Sequence, residues 1–216
     1  MTAKTSTSDL YVQYGCGFSA PDKWVNFDAS YALIWEKLPL LGRLYTKNSQ
    51  RFPENVRHGN IVKGLPIGTN SCKGVYASHV LEHLALDEFH QALENTKRIL
   101  RKGGIFRLVV PDLESLARAY ISGLSQGNAN AAEEFLKSCH LGRPTSRHGF
   151  VGLLRRLFNR SDHLWMWDHP SLIAVLSQHG FSNIRRCRFG DCEDPMFSLV
   201  EEPGRFTGAA AIESCA

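Results

Sequence analysis

The turn Tyr14-Gly15-Cys16-Gly17 follows a short apolar strand, and Asp28 ends the next predicted strand, Trp24–Asp28. Glycine has no Cβ, so it adopts positive φ and lets a ligand approach the backbone closely. Ligands of open α/β sheets bind at the carboxyl ends of the strands. An acidic residue such as Asp28 can accept hydrogen bonds from a ribose there. A plain tight turn with a helix-capping aspartate would use the same residues, so the turn alone does not decide the function.

The spacing between the glycines and Asp28 separates two kinds of nucleotide ligand. Gly15, Gly17 and Ala20 fit the dinucleotide pattern G-x-G-x-x-A, which requires a helix after the glycines and an acidic residue about 20 positions on. Asp28 comes only 11 positions after Gly17. Residues 18–23 reach about 20 Å when extended, so they can return along a strand but cannot also form a helix. A ligand without a pyrophosphate is therefore favoured.

Strand and helix patterns alternate along the rest of the chain, which predicts an α/β fold with a mostly parallel sheet. The first strand is predicted at Leu10–Tyr14, and later strands at Asn55–Ile61, Gly74–Ser78, Ile105–Val110, Ile184–Phe189 and Met196–Val200. Helices are predicted at Asp87–Arg101, Leu113–Leu124, Ala131–Cys139 and Pro170–Gln178. Gly103-Gly104 should end the helix that precedes the fifth strand.

Composition and length fit one domain. The 216 residues are 43% hydrophobic, which is enough for a core. We interpret residues 10–202 as the domain, 113–165 as a helical, basic insertion after strand five, and 1–9 and 203–216 as flexible ends. No apolar run reaches the roughly 18 residues of a membrane span, and the first residues lack the apolar core of a signal peptide. Six scattered cysteines without a CxxC pair indicate reduced thiols and a cytoplasmic protein.

Four segments resemble the class I S-adenosylmethionine-dependent methyltransferases. The closest resemblance is to the branch called methyltransferase type 11, in which a short loop replaces the first helix. The segments are YVQYGCGFSAPDKWVNFDAS, GLPIGTNSCKGVYASHVLEHL, RILRKGGIFRLVVPDL and HLWMWDHPSLIAVLSQHGFSNI. The resemblance implies a Rossmann-like, seven-stranded, mostly parallel sheet with an antiparallel last strand. It also implies methyl transfer, with S-adenosyl-L-methionine as the cofactor.

The resemblance further implies which residues contact the cofactor. They are Gly15, Cys16 and Gly17 for its amino-acid part, Asp28 for the ribose hydroxyls, Asn60 and Ile61 for adenine, and Ser78 and His79 near the sulfonium. Asn60 stands where the family usually has aspartate, and its amide oxygen could still accept a hydrogen bond from adenine N6.

The same segment contains a second motif. His79-Val80-Leu81-Glu82-His83 matches H-x-x-E-H, a zinc motif of one peptidase family. His79 directly follows a strand, so it should precede any helix and should not share a helical face with His83. We interpret Glu82 and His83 as a packed helical turn and expect no metal in this protein.

Methyl transfer is an in-line displacement that depends mainly on positioning, and a general base helps only when the acceptor has a proton to lose. Our candidates for that base are His79, then Asp112 after strand five, then His163 or His140. Each has a structural alternative, since Asp112 could cap a helix and single histidines are usually surface residues.

The insertion suggests the acceptor. It carries Arg143, Arg147, Arg155, Arg156 and Arg160, with no acidic residue between Glu134 and Asp162. Arginine suits phosphate and carboxylate groups, so we expect an anionic or glycan-related acceptor, although charge runs are often only solvated. Aromatic residues that would stack nucleic-acid bases are sparse among these arginines, which argues against nucleic acid. Trp165 could line the acceptor pocket or, like Met166 and Trp167, belong to the core.

Two questions stay open from the sequence. A protein that binds S-adenosylmethionine without catalysis, as a regulator of another enzyme, would carry the same cofactor motifs. Residues 31–53 contain no recognised motif. The site must be covered either by these residues together with the insertion, or by the second subunit of a homodimer.

Overall fold

A seven-stranded sheet forms the centre of the molecule, with the strand order β3-β2-β1-β4-β5-β7-β6. The computed structural model describes residues 9–38, 50–141 and 162–216. The strands are β1 Leu10–Tyr14, β2 Val25–Asp28, β3 Val56–His58, β4 Cys72–Ser78, β5 Leu100–Pro111, β6 Ser182–Arg186 and β7 Ala209–Cys215. Strands β1 to β5 pair in parallel, and β7 is antiparallel to both β5 and β6. The predicted fold class is confirmed.

The strand order reverses between β1 and β4. From β1 the chain continues outward through β2 to β3. It then crosses back and forms β4 on the other side of β1. In open α/β sheets, the crevice at the carboxyl ends of the strands beside such a reversal is where ligands bind. The site should therefore lie where β1, β2, β3 and β4 end.

Helices cover the sheet. They are α1 Tyr31–Glu36, α2 Leu86–Ile99, α3 Leu113–Ser125, α4 Ala131–Ser138, α5 His169–Gln178 and α6 Pro203–Phe206, with 3₁₀ turns at Leu81–His83 and Pro195–Leu199. Side-chain caps start several of them, because Ser30 accepts from Leu33 N and Asp168 accepts from Ser171 N. The short α1 was not predicted. Among the described residues, no helix combines the length and apolarity needed to cross a membrane.

The main core lies between the sheet and the apolar faces of α2 and α5. Phe89 and Leu93 of α2 and Leu172 of α5 are fully buried against strand residues such as Val75 and Leu108. Phe89 and Leu93 are four residues apart and therefore lie on one face of the helix. This spacing is why α2 could be predicted from the sequence. The loop that replaces a first helix is also confirmed, since residues 18–23 contain only turns.

The end of α2 differs from the prediction. The helix ends at Ile99, and Leu100 is already extended with ψ 136°. Gly103-Gly104 therefore does not stop the helix but lies within β5, where Gly103 has φ +71°. A Cβ on Gly104 would lie 2.9 Å from the carbonyl oxygens of Arg101 and Cys72, so the pair permits a close backbone approach in the sheet.

The C-terminal part also differs from the prediction. Residues 203–216 were expected to be a flexible tail, but they contain α6 and β7, and β7 occupies the position between β5 and β6. Met196–Val200, predicted as a strand, lies largely in the 3₁₀ turn Pro195–Leu199. The segment Ala209-Ala210-Ala211 was not predicted as a strand, because small side chains carry little strand signal. They fit here because Ala210 and Ala211 are buried between neighbouring strands.

A buried cluster of ionic hydrogen bonds holds β7 in place. Arg107 of β5 is fully buried and donates to Glu201 at 2.7 Å, to Glu213 of β7 at 2.5 Å and to Asp191 at 3.1 Å. Glu201 is also buried and Glu213 is largely covered, whereas Asp191 is exposed. A buried guanidinium is tolerated only when its donors are satisfied in this way.

We expect Arg107→Ala to lower the free energy of unfolding by about 3–5 kcal/mol, because it leaves the buried Glu201 carboxylate without its cationic partner. Urea denaturation followed by circular dichroism measures this change. Arg101→Ala is the control, since it removes an exposed ion pair with Asp9 and such pairs contribute little. Equal unfolding midpoints for the two variants would contradict the assignment.

Candidate functional site

An open cleft of about 580 Å³ lies where β1, β2, β3 and β4 end. Its volume is within the range of small-molecule sites. Five residues predicted to contact the cofactor line it, namely Gly15, Asp28, Asn60, Ile61 and His79. The topology therefore brings together residues from four separate chain segments, as the sequence predicted.

The first glycine of the turn after β1 has no room for a side chain. Gly15 has φ +65°, and a Cβ placed on it would lie 2.1 Å from Cγ2 of Val80. Gly17 also has a positive φ of 54°. The Cys16 side chain between them is buried with Leu33 and Val56, and burial raises its pKa to about 12. Cys16 can therefore offer a ligand only its backbone.

Asp28 is held in a fixed orientation at the edge of the cleft. Its Oδ2 accepts a hydrogen bond from Gly17 N at 3.1 Å, and its Oδ1 accepts from Ser30 N at 2.8 Å. The carboxylate is only 9% exposed. Each oxygen keeps a further lone pair for a ligand hydroxyl group. The bond to Gly17 joins the ends of β1 and β2 directly.

The segment after β3 forms another wall. Asn60 Oδ1 accepts from Val62 N at 2.8 Å, so one lone pair of the amide oxygen expected to meet adenine is already used. Asn95 of α2 donates to the carbonyl oxygens of Ile61 and Val62 at 2.8 and 3.0 Å. Asn95 was not predicted, because in the sequence it looks like an ordinary polar residue on a helix.

His79 lies at the end of β4 with φ +54°. Its Nε2 donates to the Arg205 carbonyl oxygen at 2.9 Å, and its Nδ1 is 3.4 Å from Oε1 of Glu82. The nearby Glu82 carboxylate raises the pKa of His79 above its usual value. Both ring nitrogens therefore already face acceptor oxygens, Nε2 that of the Arg205 carbonyl group and Nδ1 that of Glu82.

A second, much smaller pocket adjoins the cleft behind Gly15. Ser78, Glu202 and Arg205 line it. The Ser78 hydroxyl oxygen is buried and has no hydrogen-bond partner within the described parts of the chain, and Arg205 Nη1 donates to the Ser78 carbonyl oxygen at 3.4 Å. Arg205 was not predicted because residues 203–216 were interpreted as a flexible end, and Glu202, just before that end, follows no recognised motif.

The remaining predicted residues lie elsewhere. Asp112 caps α3 by accepting a hydrogen bond from Glu114 N at 3.1 Å, which is the helix-capping role considered for it from the sequence. Trp167 is buried and stacks on Phe89 with ring centroids 4.2 Å apart, whereas Trp165 is 43% exposed. His163 is buried, and burial lowers its pKa. The insertion arginines, among them Arg143 and Arg147, fall outside the described residues.

Comparison with known proteins gives a consistent result. Residues 13–108 match the sequence profile of the methyltransferase domain family. The structure resembles a SAM-dependent methyltransferase from Archaeoglobus fulgidus, with 14% identity over 97% of this chain and 87% of that chain and a TM-score of 0.52. No curated protein sequence matches the chain. The profile match contains the glycine turn, Asp28, Asn60 and His79, and the fold is that of the class I methyltransferases.

Two further structures are similar at a TM-score of 0.48. One is the complex of the Haloferax volcanii Trm112 methyltransferase activator with a methyltransferase, at 15% identity over 96% of this chain and 82% of that chain. The other is Haemonchus contortus phosphoethanolamine N-methyltransferase 2, solved with S-adenosyl-L-methionine, at 10% identity over 97% of this chain and 49% of that chain.

We expect Gly15→Ala to weaken S-adenosylmethionine binding at least about tenfold (about 1.4 kcal/mol), because Val80 is β-branched and cannot turn away from the new methyl group. Isothermal titration calorimetry measures the affinity. Gly127→Ala is the matched control, since Gly127 has a similar φ of +73° but open space around its Cβ position. Equal affinities of the two variants would show that the turn is not part of the site.

Proposed function

This chain is an S-adenosylmethionine-dependent methyltransferase, and we propose that the cleft at the ends of β1 to β4 binds the donor and transfers its methyl group to an anionic or glycan-related acceptor. The observation that carries the donor site is the Asp28 carboxylate, oriented by two backbone N–H groups in a cleft of about 580 Å³. S-adenosylmethionine supplies an electrophilic methyl group on a cationic sulfonium.

The residues of the cleft fit the parts of the donor. Asp28 would accept hydrogen bonds from the ribose hydroxyls, and the segment Asn60-Ile61 would meet the adenine ring. Gly17 has open space around its Cβ position, so its backbone would be accessible to the amino-acid part, and Gly15 allows Val80 to pack against the turn. The buried, unpartnered Ser78 hydroxyl group beside Gly15 supports this placement, because buried polar groups normally have a partner. Cys16 would contribute backbone contacts alone.

His79 is the first choice among the candidate catalytic residues, because it lines the cleft while Asp112 caps a helix. Its ring donates to the Arg205 carbonyl oxygen and faces the Glu82 carboxylate. We therefore propose that His79 positions the end of β4 and the acceptor rather than removing a proton. A general-base role for His79 or Asp112 stays a prediction from the sequence.

The acceptor is proposed from the charge of the insertion. Arg143 and Arg147 belong to a run of arginines without acidic neighbours, and guanidinium groups bind phosphate and carboxylate in a bidentate manner. Trp165 is exposed and lies close to the segment 81–83, since its backbone N–H donates to the Glu82 carbonyl oxygen. We propose that segment 113–165 covers the cleft and selects the acceptor.

The cellular location is proposed from the thiols. All six cysteines are free in the structure, which is typical of proteins in reducing compartments. A cytoplasmic location fits this pattern.

We expect Asp28→Asn to weaken S-adenosylmethionine binding at least tenfold, because a hydrogen bond to a charged group contributes about 1.5–3 kcal/mol. The substitution keeps the shape of the side chain, and calorimetric titration with S-adenosylmethionine and S-adenosylhomocysteine measures the loss. Asp22→Asn, at an exposed aspartate whose Oδ1 accepts from Asn55, is the control. Failure of the wild-type chain to bind either compound would disprove the proposed donor site.

We expect Arg143→Ala/Arg147→Ala to raise KM for an anionic acceptor at least about tenfold, the equivalent of one lost charged hydrogen bond, and to leave donor affinity unchanged. Transfer of a radiolabelled methyl group is measured across phosphorylated sugars, nucleotide-linked sugars, lipid-linked glycans and matched neutral sugars. Arg118→Ala removes an exposed arginine paired with Glu114 and is the control. Donor binding without transfer to any acceptor would favour the non-catalytic alternative.

A further inference from the structure

A buried carboxylate and two histidines converge beside the cleft. The 3₁₀ turn Leu81–His83 packs against residues 162–165, because Leu164 N and Trp165 N both donate to the Glu82 carbonyl oxygen at 2.8 and 3.2 Å. One ligand atom from each of Glu82, His83 and His163 then lies within 4.8 Å of the other two. These three side chains come from segments 80 residues apart in the sequence.

The Glu82 carboxylate lacks a strong partner. It is 1% exposed, and within the described residues neither of its oxygens has a hydrogen bond of normal geometry. The groups nearest to Oε1 are His79 Nδ1 at 3.4 Å and His83 Nε2 at 3.9 Å. No lysine or arginine of the described chain forms an ion pair with it. A buried carboxylate in such a position requires a nearby positive charge.

Both histidines present a bare nitrogen to this carboxylate. His83 Nδ1 donates to the Asp162 carbonyl oxygen at 3.2 Å, which leaves the lone pair on Nε2, the nitrogen nearer to Glu82. His163 is buried as well, and its Nδ1 has no partner in the described residues. A histidine that donates one ring N–H to a backbone carbonyl group and leaves the other nitrogen free has the arrangement of a metal ligand.

We infer that Glu82, His83 and His163 bind a zinc ion. Two imidazoles and one carboxylate are a known ligand set for zinc. Bonds of about 2.1 Å in a tetrahedral site place ligand atoms roughly 3.4 Å apart, so the three side chains have to close by about 1 Å or somewhat more. A water molecule or His140 completes the site, since the His140 ring centroid lies 4.7 Å from that of His163.

This site differs from the H-x-x-E-H arrangement considered from the sequence. The segment Leu81–His83 is a 3₁₀ turn of three residues, and His79 precedes it with positive φ, so His79 and His83 do not share a helical face. Glu82 serves as a ligand here, whereas in the peptidase motif it is the base. The expectation that the protein has no metal is replaced by this inference.

The ion would join two distant chain segments. His83 follows β4 and lines the cleft, and His163 precedes α5. A metal at this point fixes the wall of the cleft that carries His83 and the exposed Trp165. The role is structural and independent of donor binding by Asp28.

The test is metal binding by the full chain after dialysis against a chelator. We expect the wild-type chain to bind one equivalent of Zn²⁺ in competition with a chromogenic chelator. With Co²⁺, we expect the intense visible bands of a four-coordinate site without the charge-transfer band of thiolate ligands. Glu82→Gln and His163→Ala should each weaken Zn²⁺ binding at least about tenfold, whereas His58→Ala, at an exposed histidine of β3, should not change it.

Three results would overturn the inference. They are less than one equivalent of bound metal, unchanged affinity in both ligand variants, or a thiolate charge-transfer band that assigns the ion to cysteines. Circular dichroism establishes that each variant is folded, and either ligand variant suffices if the other fails to fold. Calorimetry with S-adenosylmethionine on the same samples separates loss of metal from loss of the donor site.

Discussion

The hydrogen bond from Gly17 N to the Asp28 carboxylate is the contact on which the geometry of the cleft depends. It measures 3.1 Å and joins the carboxyl ends of β1 and β2 across a connection with no room for a helix. Because the carboxylate also accepts from Ser30 N, the same group fixes the glycine turn and the start of α1. One side chain thus sets the distance between two walls of the cleft while keeping lone pairs for a ligand in the proposed donor site.

A second constraint acts on the other half of the sheet. The antiparallel β7 lies between β5 and β6, and its Glu213 meets the buried Arg107 of β5. The segment before β7 supplies the Arg205 carbonyl oxygen that accepts from His79. The position of His79 at the cleft therefore depends on residues more than 120 positions later in the chain.

Much of the fold could be predicted, for identifiable reasons. The period of α2, the short connection before Asp28 and the order of the four motifs depend on local patterns, and the structure reproduces them. The alanines of β7 carry no such pattern, because their place is decided by the small space between β5 and β6. The helix end at Ile99 was missed because Gly103-Gly104, a usual stop signal, serves a close strand contact instead.

The residues of the candidate site could be predicted to about the same extent as the fold. Gly15, Asp28, Asn60 and His79 follow strand ends, so topology alone brings them to one cleft. Arg205 and the partners of Glu82 come from distant segments, and no spacing in the sequence indicates that His163 lies beside His83. Such contacts arise from tertiary packing, which a local pattern does not encode.

The placement of β7 has a consequence for how the chain folds. In the described sheet, β6 pairs with β7 and not with β5, so β6 has no place in the sheet until β7 has docked. Until then, β5 presents an unpaired, mostly apolar edge at Ile105–Pro111, the residues that pair with β7 in the native sheet. Exposed strand edges of this kind promote association between chains. A chain in which β7 has not docked is therefore more prone to aggregate than the native protein, in which β7 covers this edge of β5.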